Sequence, residues 1–163
     1  MLFRSGIPLK IAFPELKLTL IDSIGKKLKF CERVCALFGW TDVATLHARA
    51  EDAGRMPQLR ERQDFAVARA VTRLPVLCEY LMPLVTVGGA MLAQKSAGCG
   101  EEIADAETAI ALLGGAFEIN HQFDLPGLAG DAAARALVVI RKRSSTPARY
   151  PRQAGTPLRK PLG

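Results

Sequence analysis

Leu18, Thr19, Leu20 and Ile21 are four strand-forming residues that run straight into a carboxylate, Asp22, and a helical pattern opens at once over Ser23, Ile24, Gly25, Lys26 and Lys27. A helix that starts directly after a strand suits a parallel α/β sheet, in which strands and helices alternate. In such a sheet, an acid at the C-terminal tip of a strand sits where ligands bind, and it can accept hydrogen bonds from both hydroxyls of a ribose. Asp22 and Ser23 also suit a smaller role as caps of the next helix, and an isolated run of this kind favours that role. The rest of the chain decides how much weight the first role carries.

Residues 6–13 read as a short helix with Pro8 in its first turn, where a missing N–H costs little, and Pro14 ends it. After the strand at 18–21, a helix capped by Ser23 runs to about Phe38 and turns Ile24, Leu28, Cys31, Cys35 and Phe38 inward at helical spacing. Gly39 stops it. A weaker strand at 43–48 leads to Arg49, Ala50, Glu51 and Asp52, and the polar segment 54–63 reads as a loop with a helical turn. A strand at 64–68 ends in Arg69 and Ala70; a helix at 74–84 carries Pro75 in its first turn; Gly88 and Gly89 close the connection to a strand at 90–94 that ends at Lys95. A helix at 101–113 opens on two acids, as its dipole prefers, and turns Ile103, Ala106, Ile110 and Leu113 inward. Gly114 and Gly115 end it. Strands at 116–123 and 136–140 follow with only a Pro- and Gly-bearing loop between them, so they pair antiparallel. Alternation of this kind predicts an α/β fold with a parallel sheet covered on both faces and a reversed last strand.

With 163 residues the chain suffices for one domain with a real core, and 49% hydrophobic against 23% charged residues reads as soluble and globular. No apolar run approaches the roughly 20 residues of a membrane span, and Lys10 breaks the start too early for a signal peptide, so a cytoplasmic location is expected. Cys31, Cys35, Cys78 and Cys99 lack the tight pairs of a zinc site and are expected to be reduced, buried thiols; no metal and no redox pair is expected. His47 and His121 have no catalytic partner in the sequence and read as structural. The net charge is +6, yet the segment after Ile140 holds seven cations and no acid, which leaves the rest of the chain at −1. The chain therefore divides into a body, 1–140, and a basic, proline-rich tail, 141–163. Four prolines keep this tail extended, its cations suit a polyanion, and Tyr150 offers a ring for stacking on a base.

Seven segments taken in order carry a resemblance: residues 6–14 (GIPLKIAFP), 21–30 (IDSIGKKLKF), 49–51 (RAE), 68–71 (ARAV), 92–95 (LAQK), 137–140 (LVVI) and 150–162 (YPRQAGTPLRKPL). Together they resemble the small-subunit rRNA guanine-N7 methyltransferase family, also called glucose-inhibited division protein B, over essentially the whole chain. The resemblance implies a Rossmann-like class I methyltransferase sheet with an antiparallel last strand, S-adenosylmethionine as cofactor, and methyl transfer to N7 of a guanine in 16S rRNA, free or in the small ribosomal subunit. It implies that Asp22 holds the ribose with Ser23 and Ile24 beside it, that Ala50 and Glu51 border the adenine, and that Gly6 and Arg69 belong to the cofactor site. Lys95 would stand near the substrate face as the candidate catalytic residue. Arg149, Tyr150, Arg152, Arg159 and Lys160 would meet RNA. The chain would act as a monomer. Guanine N7 is a free lone pair, so such a transfer needs alignment and exclusion of water rather than a general base.

The match departs from the family at its start. The family's first strand and most of its glycine-rich cofactor loop have no counterpart; only Gly6 remains of that loop, and Arg4 falls where an apolar residue is expected against the cofactor. The missing strand would lie between the strands at 18–21 and 64–68, leaving two unpaired edges in mid-sheet. A start codon placed too late or a broken reading frame would produce this pattern; so would a true fragment. A non-catalytic rRNA-binding remnant is the alternative function. A nicotinamide dehydrogenase is disfavoured, because no G-x-G-x-x-G precedes the strand.

Overall fold

A computed structural model describes residues 3–163, with side chains from Ser5 onward. The alternating apolar runs become six strands in two separate sheets. β1 (Leu18–Asp22) pairs parallel with β2 (Val43–His47), with Asp22 opposite His47. β3 (Gln63–Arg69), β4 (Val85–Ser96), β5 (Gly115–Asp124) and β6 (Ala134–Lys142) form the second sheet in the order β3-β4-β6-β5. β3 and β4 are parallel, and β6 runs antiparallel to both of its neighbours, so the reversed strand is β6, inserted between β4 and β5. Among the described residues β1 and β3 share no ladder, and each pairs on one side alone, as the missing strand predicts.

The helices are α1 (Phe3–Ala12), α2 (Gly25–Leu37), α3 (Ala50–Ala53), α4 (Leu74–Leu81), α5 (Gly100–Asp105), α6 (Glu107–Leu112) and α7 (Thr156–Arg159). The main core lies between α4–α6 and one face of the larger sheet. Leu74, Leu77, Leu81, Ile110 and Leu113 from the helical side meet Met91, Ala93, Val138 and Ile140 from β4 and β6. Each fully buried large side chain there contributes about 1.5–3 kcal/mol of transfer free energy. A smaller cluster, Leu20, Leu28 and Cys31 with Ile7, Leu18 and Val43, ties α1 and α2 to the β1–β2 pair.

Several sequence expectations need correction. The helix after β1 starts one residue later than a Ser23 cap implies: Ile24 is the capping position, and the Asp22 side chain receives the Ile24 N–H. Leu28, Cys31 and Cys35 are buried, but Ile24 and Phe38 at the two ends of that stripe are half exposed, because they are the capping residues and lie just outside the helix. Gly88 and Gly89 do not close a connection; β4 starts at Val85 and runs through them. A Cβ at Gly89 would lie 2.4 Å from the Asp64 carbonyl oxygen, so glycine there permits the close approach of β3. The helix expected at 101–113 is broken at Ala106 into α5 and α6. The larger sheet is covered on one face only. Along β6, Ala136, Val138, Ile140 and Lys142 are buried, whereas Arg135, Leu137, Val139 and Arg141 are half-buried on a face that also shows Phe65, Ile119 and Phe123 to solvent.

The largest correction concerns the tail. It is not an extended arm; it folds back on the body. Lys142 is 1% exposed, with its Nζ donating to Met82 O at 2.8 Å and to Thr146 Oγ1 and lying 3.2 Å from Glu61. Arg60 donates to Thr146 O and Tyr150 O, both at 2.7 Å. Glu79, fully buried, holds Arg152 in a fork and also accepts the Arg152 N–H. Tyr150, Pro151 and Pro157 are buried, and the Tyr150–Pro151 peptide is cis. Acids in the body draw the tail's cations inward, an arrangement that net charge does not reveal.

Candidate functional site

Two cavities flank the turn that follows β3. The first, of about 150 Å³, is lined by Ile21, Asp22 and Ser23 from the end of β1, by Ala48, Arg49, Ala50 and Glu51 after β2, and by Val71, Leu77, Tyr80 and Leu81. The tips of two parallel strands thus converge here, as the acid at the end of β1 suggests. Asp22 is 3% exposed. Its Oδ1 accepts the Ile24 N–H at 2.8 Å, while Oδ2 has no hydrogen-bond partner among the described residues, and Lys27 Nζ stands 3.5 Å away. A buried carboxylate oxygen with no donor is costly, and a ligand hydroxyl would relieve it. Glu51 is also buried, and its Oε1 accepts the Gly155 N–H at 2.8 Å. Burial, reinforced by the Glu51 carboxylate beside it, pushes the Tyr80 phenol above its ordinary value. The wall of this cavity therefore includes a contact from the C-terminal segment.

The second cavity, of about 630 Å³, opens at the C-terminal ends of β3 and β4 and is lined by Arg69, Ala70, Gln94, Lys95, Ser96, Phe123, Leu125, Arg135 and Ala136. Ala70 takes a positive φ of 52°, rare for a residue with a Cβ, and this reversal sends Arg69 and Ala70 to one cavity and Val71 to the other.

Of the residues singled out from the sequence, Asp22, Ser23, Ala50 and Glu51 come together in the first cavity. Ile24 is exposed beside it, and Gly6 lies inside α1, so neither lines it. Arg69 lines the second cavity, together with Lys95. The Lys95 Nζ donates to Thr72 O at 2.8 Å and to Glu102 at 2.5 Å, so its charge is already engaged. The side chain of Arg4 lies outside the described residues. Arg149, Arg159 and Lys160 are exposed, with the Arg149 guanidinium 5.0 Å from the Tyr150 ring centre. Tyr150 is buried and Arg152 is paired, so the expected stacking ring and one expected phosphate contact are corrected: both are spent on holding the tail to the body. His47 Nε2 lies 3.0 Å from the Ser23 carbonyl oxygen. Sequence reasoning missed Leu77 and Tyr80, which reach the first cavity through tertiary packing rather than any local pattern, and gave no role to Arg49 and Val71, although both lie in segments that carry the resemblance.

All four cysteines are buried and unbridged. Burial, with Cys35 and Asp22 nearby, pushes the Cys31 thiol up to about 11. Among the described residues no cluster of His, Cys, Asp or Glu could hold a metal, and no helix is long and apolar enough to cross a membrane.

An acid at the tip of a parallel strand, a cavity at the strand ends and an antiparallel strand inserted next to the sheet edge define a Rossmann-like class I methyltransferase fold. A mutant 16S rRNA (adenine(1408)-N(1))-methyltransferase from Catenulisporales acidiphilia, solved with cosubstrate SAM, shares it with a TM-score of 0.65 over 87% of this chain and 80% of that one, at 14% identity. The family is shown by sequence. The model of the rRNA small subunit methyltransferase G family matches residues 5–124. Ribosomal RNA small subunit methyltransferase G from Exiguobacterium sp. is 46% identical over 157 residues, and that from Leuconostoc citreum is likewise 46% identical. The chain belongs to the rRNA small subunit methyltransferase G family. It spans 65% and 64%, respectively, of the length of these two relatives, which cover 96% of it.

Proposed function

We propose that this chain binds S-adenosylmethionine and transfers its methyl group to N7 of a guanine in 16S rRNA, as a monomer in the cytoplasm. One observation carries the reading: the buried Asp22 carboxylate at the tip of β1, whose Oδ2 has no hydrogen-bond donor among the described residues. Membership of the family and the SAM-bound fold neighbour support it. The residues present fit a ribose. Asp22 accepts from its hydroxyls, Ser23 and Ile24 lie beside it, and Ala50 and Glu51 border the base of the cofactor.

When bound, the cofactor supplies a methyl group activated on a sulfonium. The chain's own work is to orient and to exclude water, because N7 of guanine carries no proton to remove. Lys95, tied to Glu102 and Thr72, fixes the turn between the two cavities rather than offering a free base.

The test is calorimetric titration of S-adenosylmethionine into the chain and into Asp22→Asn. The asparagine keeps an oxygen for the Ile24 N–H but loses the charge. A charge-assisted hydrogen bond is worth about 1.5–3 kcal/mol, so affinity falls about ten- to hundredfold with the circular dichroism spectrum unchanged. A folded chain that takes up no cofactor, yet still holds 16S rRNA, would replace this reading with a non-catalytic RNA-binding one, a possibility that the unpaired β1 and β3 edges favour.

A further inference from the structure

The second cavity has a composition that the cofactor does not explain. Strand register sets its side chains in rows on the uncovered face of the larger sheet. Arg69 of β3 is opposite Gln94 of β4, and in the next row Ser96 of β4, Arg135 of β6 and Phe123 of β5 stand side by side. Two guanidinium groups, an amide and an aromatic ring therefore share one concave surface of about 630 Å³. Phe123, next to the last residue of β5, is 39% exposed, and the His121 ring stacks near its ring at 6.0 Å between centres. The Arg69 side chain has no ion-pair or hydrogen-bond partner among the described residues, although its backbone belongs to the β3–β4 ladder. Arg135 donates to the Ala134 and Asp131 carbonyls at 2.7 and 3.5 Å, which fixes its direction without neutralising it. Among the described residues no acid lines the cavity, and Glu102, the partner of Lys95, also accepts the Leu74 N–H. The surface is thus cationic, with an aromatic face exposed in it.

We infer that this cavity receives one unpaired nucleotide of a single-stranded RNA, with the base stacked on Phe123 and the flanking phosphates paired with Arg135 and Arg69. Exposed rings beside guanidinium groups suit a splayed-out base, since every base has a stacking face and the backbone supplies the anions. Gln94, with both a donor and an acceptor, faces the base edge. The position is also right for acceptance of a methyl group. Residues 69 and 70 on this side and Val71 on the cofactor side are consecutive, so a base here and a ligand on Asp22 approach each other across the Ala70 reversal. The inference rests on the methyl-transfer reading for the purpose of the site, but not for its occupant.

Fluorescence anisotropy with a short labelled single-stranded RNA carrying one central guanine tests it, on the full chain and on Phe123→Ala, Phe123→Trp and Arg135→Gln. Each variant is also titrated calorimetrically with S-adenosylmethionine. Loss of stacking weakens RNA binding about tenfold in Phe123→Ala, and Phe123→Trp restores it. Arg135→Gln weakens binding and lowers the salt slope by about 0.7. Cofactor affinity stays within about twofold throughout, since none of these residues lines the first cavity. RNA binding unchanged in Phe123→Ala and Arg135→Gln, or absent in the parent chain, overturns the inference. RNA binding that depends on Phe123 in a chain without affinity for S-adenosylmethionine upholds it while removing the methyl-transfer reading.

Discussion

Asp22 and Glu51 are both carboxylates buried in one cavity wall, yet they are held differently. Asp22 has one oxygen bound within its own turn and one that has no hydrogen-bond donor among the described residues; Glu51 is bound by an N–H from 104 residues away. The first could be read from the sequence, because strand, acid and helix follow one another without a gap. The second came from resemblance alone, since nothing local distinguishes Glu51 from Asp52. Tyr80 carries no local signal at all. Residue-level partnerships elsewhere were equally hidden: Arg152 and Glu79 are separated by 73 positions. Removing one member of that pair leaves a charge buried without compensation. Arg152→Ala should therefore cost about 3–5 kcal/mol in urea unfolding, far more than loss of an exposed arginine such as Arg143. Cys31, fully buried with its thiol at about 11, should resist alkylation at pH 8 in the native chain and react once urea unfolds it, as mass spectrometry of timed samples would record.

Strand and helix positions were legible where periodicity and Gly or Pro punctuation agreed, as for β1, α2 and α4. They were misread where glycine had a different reason to be present. Gly88 and Gly89 look like a turn, but Gly89 lets β3 and β4 approach, and Gly89→Ala should shift or break that pairing and lower the thermal midpoint by several degrees. The segment after β6 depends on the pairing of Lys142 with Glu61. Burial pushes the Glu61 carboxyl up, but the Thr146 N–H and Lys142 outweigh it and hold the group below its usual value of 4.5. A depressed carboxyl stabilises the fold above pH 4.5, and that contribution is lost as pH falls through the lower folded value. The difference in thermal midpoint between the parent chain and Glu61→Gln should thus be full at neutral pH and shrink steadily below pH 4.5.

At the scale of the molecule, the seven cations after Ile140 overstate the charge that the tail opens to a polyanion, because Arg141, Lys142 and Arg152 are paired with Glu118, Glu61 and Glu79. Arg149, Arg159 and Lys160 remain exposed. Replacing these three by glutamine should lower the salt slope of single-stranded RNA binding by about 2, at roughly 0.7 per lost phosphate contact. Alternation of elements foretold the α/β class and the reversed strand, whereas the missing pairing between β1 and β3 was expected from the family resemblance and not from the alternation. The uncovered sheet face did not, because a period-two strand looks the same whether its outer side meets a helix or water. The bond from the Gly155 N–H to Glu51 also has a bearing on biosynthesis. Chains are made from the N-terminus, and the last residues stay in the ribosomal exit tunnel until synthesis stops. Residues 22 and 51 emerge early, but the donor that fixes Glu51 is made 104 positions later. A nascent chain can form β1 and β2 long before the finished wall of the cavity can exist. A stop codon ahead of position 155 would leave every residue that lines the first cavity in place and still produce a protein with a loosened pocket.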